Sequence, residues 1–111
     1  MADDEKTLQQ FSHDASIFEI KPQLVVFPKD VEDVKKLVAF VGQYQDLSLT
    51  ARSAGTDMTG GPLNRSLIVD FTRYFNRVKE VGEDYAIAEP GVFYRDFEKQ
   101  TLQRGLFLPS Y

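Results

Sequence analysis

Residues 24–52 read LVVFPKDVEDVKKLVAFVGQYQDLSLTAR, and the period of the apolar side chains changes twice along them. Leu24, Val25, Val26 and Phe27 form a short β-branched and aromatic run closed by Pro28, the pattern of a buried strand. From Val31 the apolar residues Val31, Val34, Leu37, Val38 and Val41 recur at spacings of three and four, while Glu32, Asp33, Lys35 and Lys36 take the other face. Asp30 stands at the cap position, and acidic residues fill the first turn, where the helix dipole favours them. Gln45 and Asp46 break the pattern, and Leu47–Ala51 returns to extended-type residues ending at Arg52. Strand, helix and strand within about thirty residues is the span of a βαβ unit, so the spacing predicts an α/β fold.

The flanks extend that reading. Ser53–Pro62 is a loop with glycines at 55, 60 and 61, and Leu67–Phe71 is a third strand. Arg77–Val81 and Tyr85–Ala88 flank Gly82, Glu83 and Asp84, a composition that predicts a hairpin. Pro90 and Gly91 mark a turn before a second helix over Val92–Arg104, stopped at Gly105, and a last strand follows at Leu106–Pro109. The expected whole is α/β, with α+β character from the strand mix: a small mixed sheet and two main helices. Residues 1–15 read as a polar N-terminal lead-in and 16–111 as the domain. The chain closes at Tyr111 directly after an apolar strand, which reads as a fragment of a larger protein.

Composition narrows the function. A chain of 111 residues, 42% apolar and 27% charged, is one globular domain at most. The absence of cysteine removes disulfides, thiolate metal sites and cysteine nucleophiles, and the lone His13 rules out a multi-histidine metal centre or a two-histidine relay. No metal site is expected. A net charge of -4, with no basic tract interleaved with aromatics, argues against nucleic-acid binding. The longest apolar run, Leu24–Phe27, is far short of the roughly 20 residues of a membrane-spanning helix. The N-terminus, with Asp3, Asp4 and Glu5, lacks the basic and apolar regions of a secretory signal, so a cytoplasmic location is expected.

Only 49–62, LTARSAGTDMTGGP, asks for more than packing. A strand delivers the chain to Arg52, and the small residues Ser53, Ala54 and Gly55 follow, then Thr56 and Asp57. Successive small residues let backbone N–H groups converge into a nest that binds anionic oxygens without side-chain obstruction. Gly61 and Pro62 stand where a Walker loop needs Lys and Ser or Thr, and no G-x-G-x-x-G opens a helix. A flexible surface connection would use the same residue types, so composition alone leaves both readings open.

The order Leu24–Pro28, Asp30–Val34, Arg52–Thr56, Ile68–Asp70 and Glu89–Val92 resembles the N-terminal part of the PCMH-type FAD-binding domain of the FAD-linked oxidases, the vanillyl-alcohol oxidase superfamily. The wording of Phe11–Ser16 (FSHDAS), Arg52–Gly61 and Phe107–Tyr111 (FLPSY) is most similar to the glycolate oxidase and D-lactate dehydrogenase branch. The resemblance implies that Ser53, Ala54, Gly55, Thr56, Asp57, Met58, Thr59 and Gly60 wrap the FAD pyrophosphate with main-chain donors. Thr56 stands where covalently flavinylated members have histidine, implying non-covalent FAD. Ser53 and Ala54 replace frequent glycines, which is tolerable only if neither needs positive φ. By the same resemblance the parent enzyme oxidises a small 2-hydroxy acid of the D-lactate or glycolate type, with its catalytic side chains outside this chain. The chain alone is then inactive, and none of its residues is assigned a catalytic role.

Other residues have plainer readings. Arg52 is read as a structural charge in preference to a phosphate ligand, and Asp57 as the acceptor of an Asx-type turn. A His13–Asp14 proton-transfer pair is weighed against a solvated histidine near a terminus, and Glu89 is read as solvated before its turn. Phe71, Tyr74, Phe75, Phe93, Tyr94 and Phe97 are assigned to the core, or in part to a surface that a missing half covers. Two other classes stay open: a non-enzymatic module binding another phosphate ligand, and a module that self-associates through an apolar face.

Overall fold

A computed structural model describes residues 1–106. The strand expected at Leu106–Pro109 lies, beyond Leu106, outside the described residues. In chain order the elements are α1 (Glu5–Gln10), β1 (Leu24–Val26), α2 (Val31–Val41), β2 (Leu49–Arg52), β3 (Leu67–Asp70), β4 (Val78–Val81), β5 (Ala86–Ala88) and α3 (Tyr94–Leu102). The chain is thus a mixed α/β fold, with a parallel sheet ordered β1-β3-β2 and a separate antiparallel pair β4-β5.

The βαβ span holds, but its two strands are not neighbours. β3 lies between them, with Val25 opposite Ile68 on one side and Arg52 opposite Asp70 on the other. Every β3 residue is buried, as a central parallel strand of Leu, Ile and Val requires. β2 begins two residues later than the apolar run suggests, and the Ser48 carbonyl leads in by accepting from the Leu67 amide at 3.1 Å.

Caps set the helix ends. Asp30, in extended backbone, accepts from the Asp33 amide at 2.9 Å, and Asp33 in turn accepts from the Lys29 amide at 3.0 Å, so α2 starts where its sequence predicts. No α2 residue is buried, and Val31, Val38 and Phe40 are exposed. α3 is shorter than Val92–Arg104: it starts after Phe93, which stands in extended backbone at the cap position and makes no side-chain cap bond. Its C-terminus closes as a Schellman turn: Gly105 has φ +74°, its amide donates to Leu102, and the Leu106 amide donates to Thr101, both at 3.0 Å.

The N-terminal lead-in is more structured than its polarity suggests. Asp4 caps α1 through the Thr7 amide at 3.0 Å, and Ala2 forms a bridge with Val25. Leu8 and Phe11 join Val25 and Ile68 in the core, with Phe27 packed alongside at a ring separation of 5.9 Å from Phe11. Two apolar residues three apart are too weak a signal for a six-residue helix, and tertiary packing supplies the rest. Conversely, none of the six aromatics assigned to the core is buried: Tyr74 and Phe93 are exposed, and Phe71 and Phe75 pack edge to face on each other at 5.4 Å, away from the Val25–Ile68 centre. Among the described residues, no helix is long and apolar enough to cross a membrane.

Candidate functional site

All three strands of the main sheet run parallel, so β2 and β3 present their carboxyl ends together, the end of an α/β sheet that receives ligands. The segment 53–62 leaves the sheet at that end, directly after Arg52. Gly55 has φ +71° and Gly60 φ +84°, a region that favours glycine, and among the described residues no other residue type adopts it. Ser53 and Ala54 therefore stand in for glycine without backbone strain.

Among the described residues, no hydrogen bond takes up the amides of Ser53, Ala54, Gly55, Thr56 or Met58. Ser53, Ala54, Gly55, Thr56 and Asp57 line an open concavity of about 270 Å³, together with Arg52, Gly61 and Pro62. Met58, Thr59 and Gly60 lie outside its lining, and Met58 is 77% exposed. Unengaged main-chain donors around a left-handed glycine are what recognition of an anionic oxygen requires.

Asp57 forms the Asx turn expected of it. Its Oδ1 accepts from both the Thr59 hydroxyl and the Thr59 amide at 2.6 Å. Those two bonds, the hydroxyl's first, hold its carboxyl below the ordinary value of 3.8 against the effect of burial, and the Gly61 amide adds to them. The carboxylate is thus occupied within its own loop.

Arg52 has a structural contact. Its Nη1 donates to the Phe11 carbonyl at 3.4 Å, and the guanidinium carbon lies 5.0 Å from the Phe11 ring centre. A β-carbon on Gly55 would come within 2.4 Å of Nη2, so the guanidinium occupies the space beside the loop that any larger residue would need. Burial lowers its pKa, and the Asp70 and Asp14 carboxylates oppose that shift. An arginine stays cationic under such conditions, leaving a held positive charge at the edge of the concavity.

The His13–Asp14 pair does not form. His13 is exposed and lies 3.4 Å from Glu19, whereas Asp14 Oδ1 accepts from the Ser16 amide at 2.7 Å. Burial disfavours the Asp14 anion, but the Ser16 hydroxyl and amide outweigh it and keep the carboxyl below its ordinary range. Glu89 is not solvated: its side chain is 10% exposed and its Oε1 accepts from both the amide and Nε of Arg77 at 3.1 Å, tying the ends of the hairpin. A partner twelve residues away gives no periodic signal. Nor does any sequence period announce that Ala15 donates its amide to the Asp57 carbonyl at 3.0 Å, joining the lead-in to the loop.

Residues 22–111 match the FAD binding domain family, a span that takes in the whole parallel sheet and the loop between β2 and β3. The chain belongs to this family. FAD is accordingly the cofactor of this FAD-binding domain. Over 85 residues the domain is 38% identical to the D-2-hydroxyglutarate dehydrogenase of Escherichia coli strain K12, covering 73% of this chain and 8% of that protein. Over 98 residues it is 32% identical to the protein of the same name from Haemophilus influenzae, covering 85% of this chain and 10% of that one. The chain thus spans a tenth or less of the length of these curated relatives. An alkyldihydroxyacetonephosphate synthase structure shares its fold, with a TM-score of 0.75 over 94% of this chain and 22% of its own length, at 22% identity.

Proposed function

We propose that this FAD-binding domain grips the cofactor's diphosphate through main-chain amides of 53–60 and serves, non-covalently loaded, in an enzyme that oxidises a 2-hydroxy acid. The observation that carries the reading is that, among the described residues, no hydrogen bond takes up the amides of Ser53, Ala54, Gly55, Thr56 and Met58, which surround left-handed Gly55 at the carboxyl end of a parallel sheet. The residues fit the group. Gly55 offers no side chain, the Arg52 cation lies beside it, and the one acidic residue of the loop is turned onto Thr59. Thr56, in place of a histidine, leaves the loop without the imidazole that attaches flavin covalently in other members.

When bound, FAD supplies the two-electron acceptor for oxidation at the hydroxyl-bearing carbon of the substrate. This chain's residues bind and orient; its His13 and Glu89 are each engaged away from the loop, by Glu19 and Arg77. Residues 16–111 are read as the N-terminal FAD-binding subdomain of the larger enzyme, the rest of which supplies the substrate-facing side chains. The small size of the aligned share of the relatives supports that division.

Branch-level wording favours D-lactate or glycolate, and the names of the relatives favour D-2-hydroxyglutarate. The test is anaerobic reduction of flavin in the complete protein by each of the three acids. Bleaching of the flavin absorbance by at least one of these 2-hydroxy acids, with all flavin released on acid precipitation, is the expected result. Flavin that stays oxidised with all three, or that remains on the acid pellet, contradicts it.

A further inference from the structure

We propose that the segment Phe11–Phe18, which precedes the residues matched to the family, is a brace that positions the loop 53–60 to receive the diphosphate. The proposal rests on the reading of that loop given above. Contacts at three points along the loop carry it. At the base, the Phe11 carbonyl and ring hold the Arg52 guanidinium against Gly55. In the middle, the Ala15 amide donates to the Asp57 carbonyl at 3.0 Å. At the far end, the Phe18 ring lies 3.2 Å from where a β-carbon on Gly60 would stand. Asp14, between these contacts, has its Oδ2 buried without a hydrogen-bond partner among the described residues; the Asp57 carboxylate of the loop disfavours its anion and the Gly60 amide favours it.

The brace is itself held. The Ser12 hydroxyl donates to the Gln9 carbonyl at 2.6 Å, the Ile20 amide donates to the Ser12 carbonyl at 3.0 Å, and the Phe18 amide donates to the Ser16 hydroxyl at 3.1 Å. These bonds turn the segment back on itself, with His13 bridged to Glu19, on a base set by buried Phe11 and Ser12. A loop of small residues has much backbone freedom to lose, and a ligand that must order it binds more weakly by that amount. Contacts made in advance at both ends and the middle remove part of that cost. Asp14 and Phe18 are therefore positioning residues, acting on the cofactor only through the loop.

The discriminating readout is a comparison of FAD with riboflavin, which lacks the diphosphate, on the deflavinated complete protein. Asp14→Ala is expected to weaken FAD binding about tenfold and leave riboflavin binding within about twofold of wild type. Phe18→Ala, at a side chain 52% exposed and so of little consequence for folding, is expected to weaken FAD about threefold with riboflavin again unmoved. Should Asp14→Ala fail to fold, the Phe18→Ala comparison decides alone. Equal weakening of both ligands, or of neither, in Phe18→Ala overturns the brace. Gly55→Val separates the two claims: if it keeps wild-type FAD affinity, the reading of the loop itself fails, whereas loss of FAD there with none in Asp14→Ala or Phe18→Ala sinks the brace alone.

Discussion

The guanidinium of Arg52 fills the space that a side chain on Gly55 would need, with Nη2 standing 2.4 Å from the position of the missing β-carbon. Two features of the loop follow from this contact. Gly55 is required both by its φ of +71° and by its neighbour, and the cation is fixed in place by Phe11 with Asp70 and Asp14 balancing its charge. A backbone donor site next to a restrained positive charge suits an anion better than either feature alone.

Gly55→Val should therefore weaken FAD capture by the complete protein while leaving the sheet in place. Left-handed strain of about 1–3 kcal/mol, relieved by moving the loop off Arg52, corresponds to a loss of about 5- to 150-fold in affinity. Flavin content after purification and far-ultraviolet circular dichroism check the two halves of this expectation. Wild-type flavin content contradicts it.

Phe11→Ala should destabilise the chain by about 3–5 kcal/mol, the usual cost of deleting a buried aromatic ring. Phe11 is 7% exposed, packs on Phe27 and joins Leu8, Val25 and Ile68 in the core. Urea unfolding followed by circular dichroism measures the change. A loss below about 0.5 kcal/mol, the range of surface substitutions, shows instead that the N-terminal segment carrying Phe11 is not part of the cooperative unit.

How far the sequence reveals the fold depends on the range of the interaction. β1, α2 and β3 are legible because each is written in its own apolar period, and the Asp30 cap lies next to the helix it starts. The insertion of β3 between β1 and β2 is not, since nothing in either strand states which neighbour it pairs with. α1 escapes notice because Leu8 and Phe11 are apolar for the sake of Val25 and Ile68, residues far along the chain. In the loop, small residues announce main-chain accessibility and Asp57 announces its turn, both local matters. Contacts from Phe11, Ala15 and Phe18 to the loop span about forty residues and carry no pattern.

Asp57 gives a pH signature. Its folded-state pKa lies below the ordinary 3.8, chiefly through the Thr59 hydroxyl and amide, so its stabilising effect is fully present above that value and is lost as pH falls through the depressed one. Thr59→Val removes the larger of the two bonds. The stability difference between wild type and Thr59→Val should be constant from neutral pH down to about 4 and shrink below it. A difference that grows on acidification contradicts the assignment.

The 111-residue chain by itself should bind FAD weakly and turn over no 2-hydroxy acid. Its radius of gyration of 15.6 Å exceeds the about 13 Å of a compact domain of this length, and α2 leaves Val31, Val38 and Phe40 exposed. Association costs several kcal/mol of lost freedom before contacts contribute, and the concavity beside Gly55 is open rather than enclosed. Equilibrium dialysis against FAD and an assay with D-2-hydroxyglutarate test this. Tight stoichiometric flavin with turnover refutes it.

A crystal structure of the complete protein with FAD tests the central claim most directly, through the distances from the Ser53–Met58 amide nitrogens to the diphosphate oxygens. The account predicts at least the Gly55 amide and one neighbour within about 3.2 Å of those oxygens. A diphosphate held elsewhere, with these amides turned to solvent or paired to another strand, would contradict it.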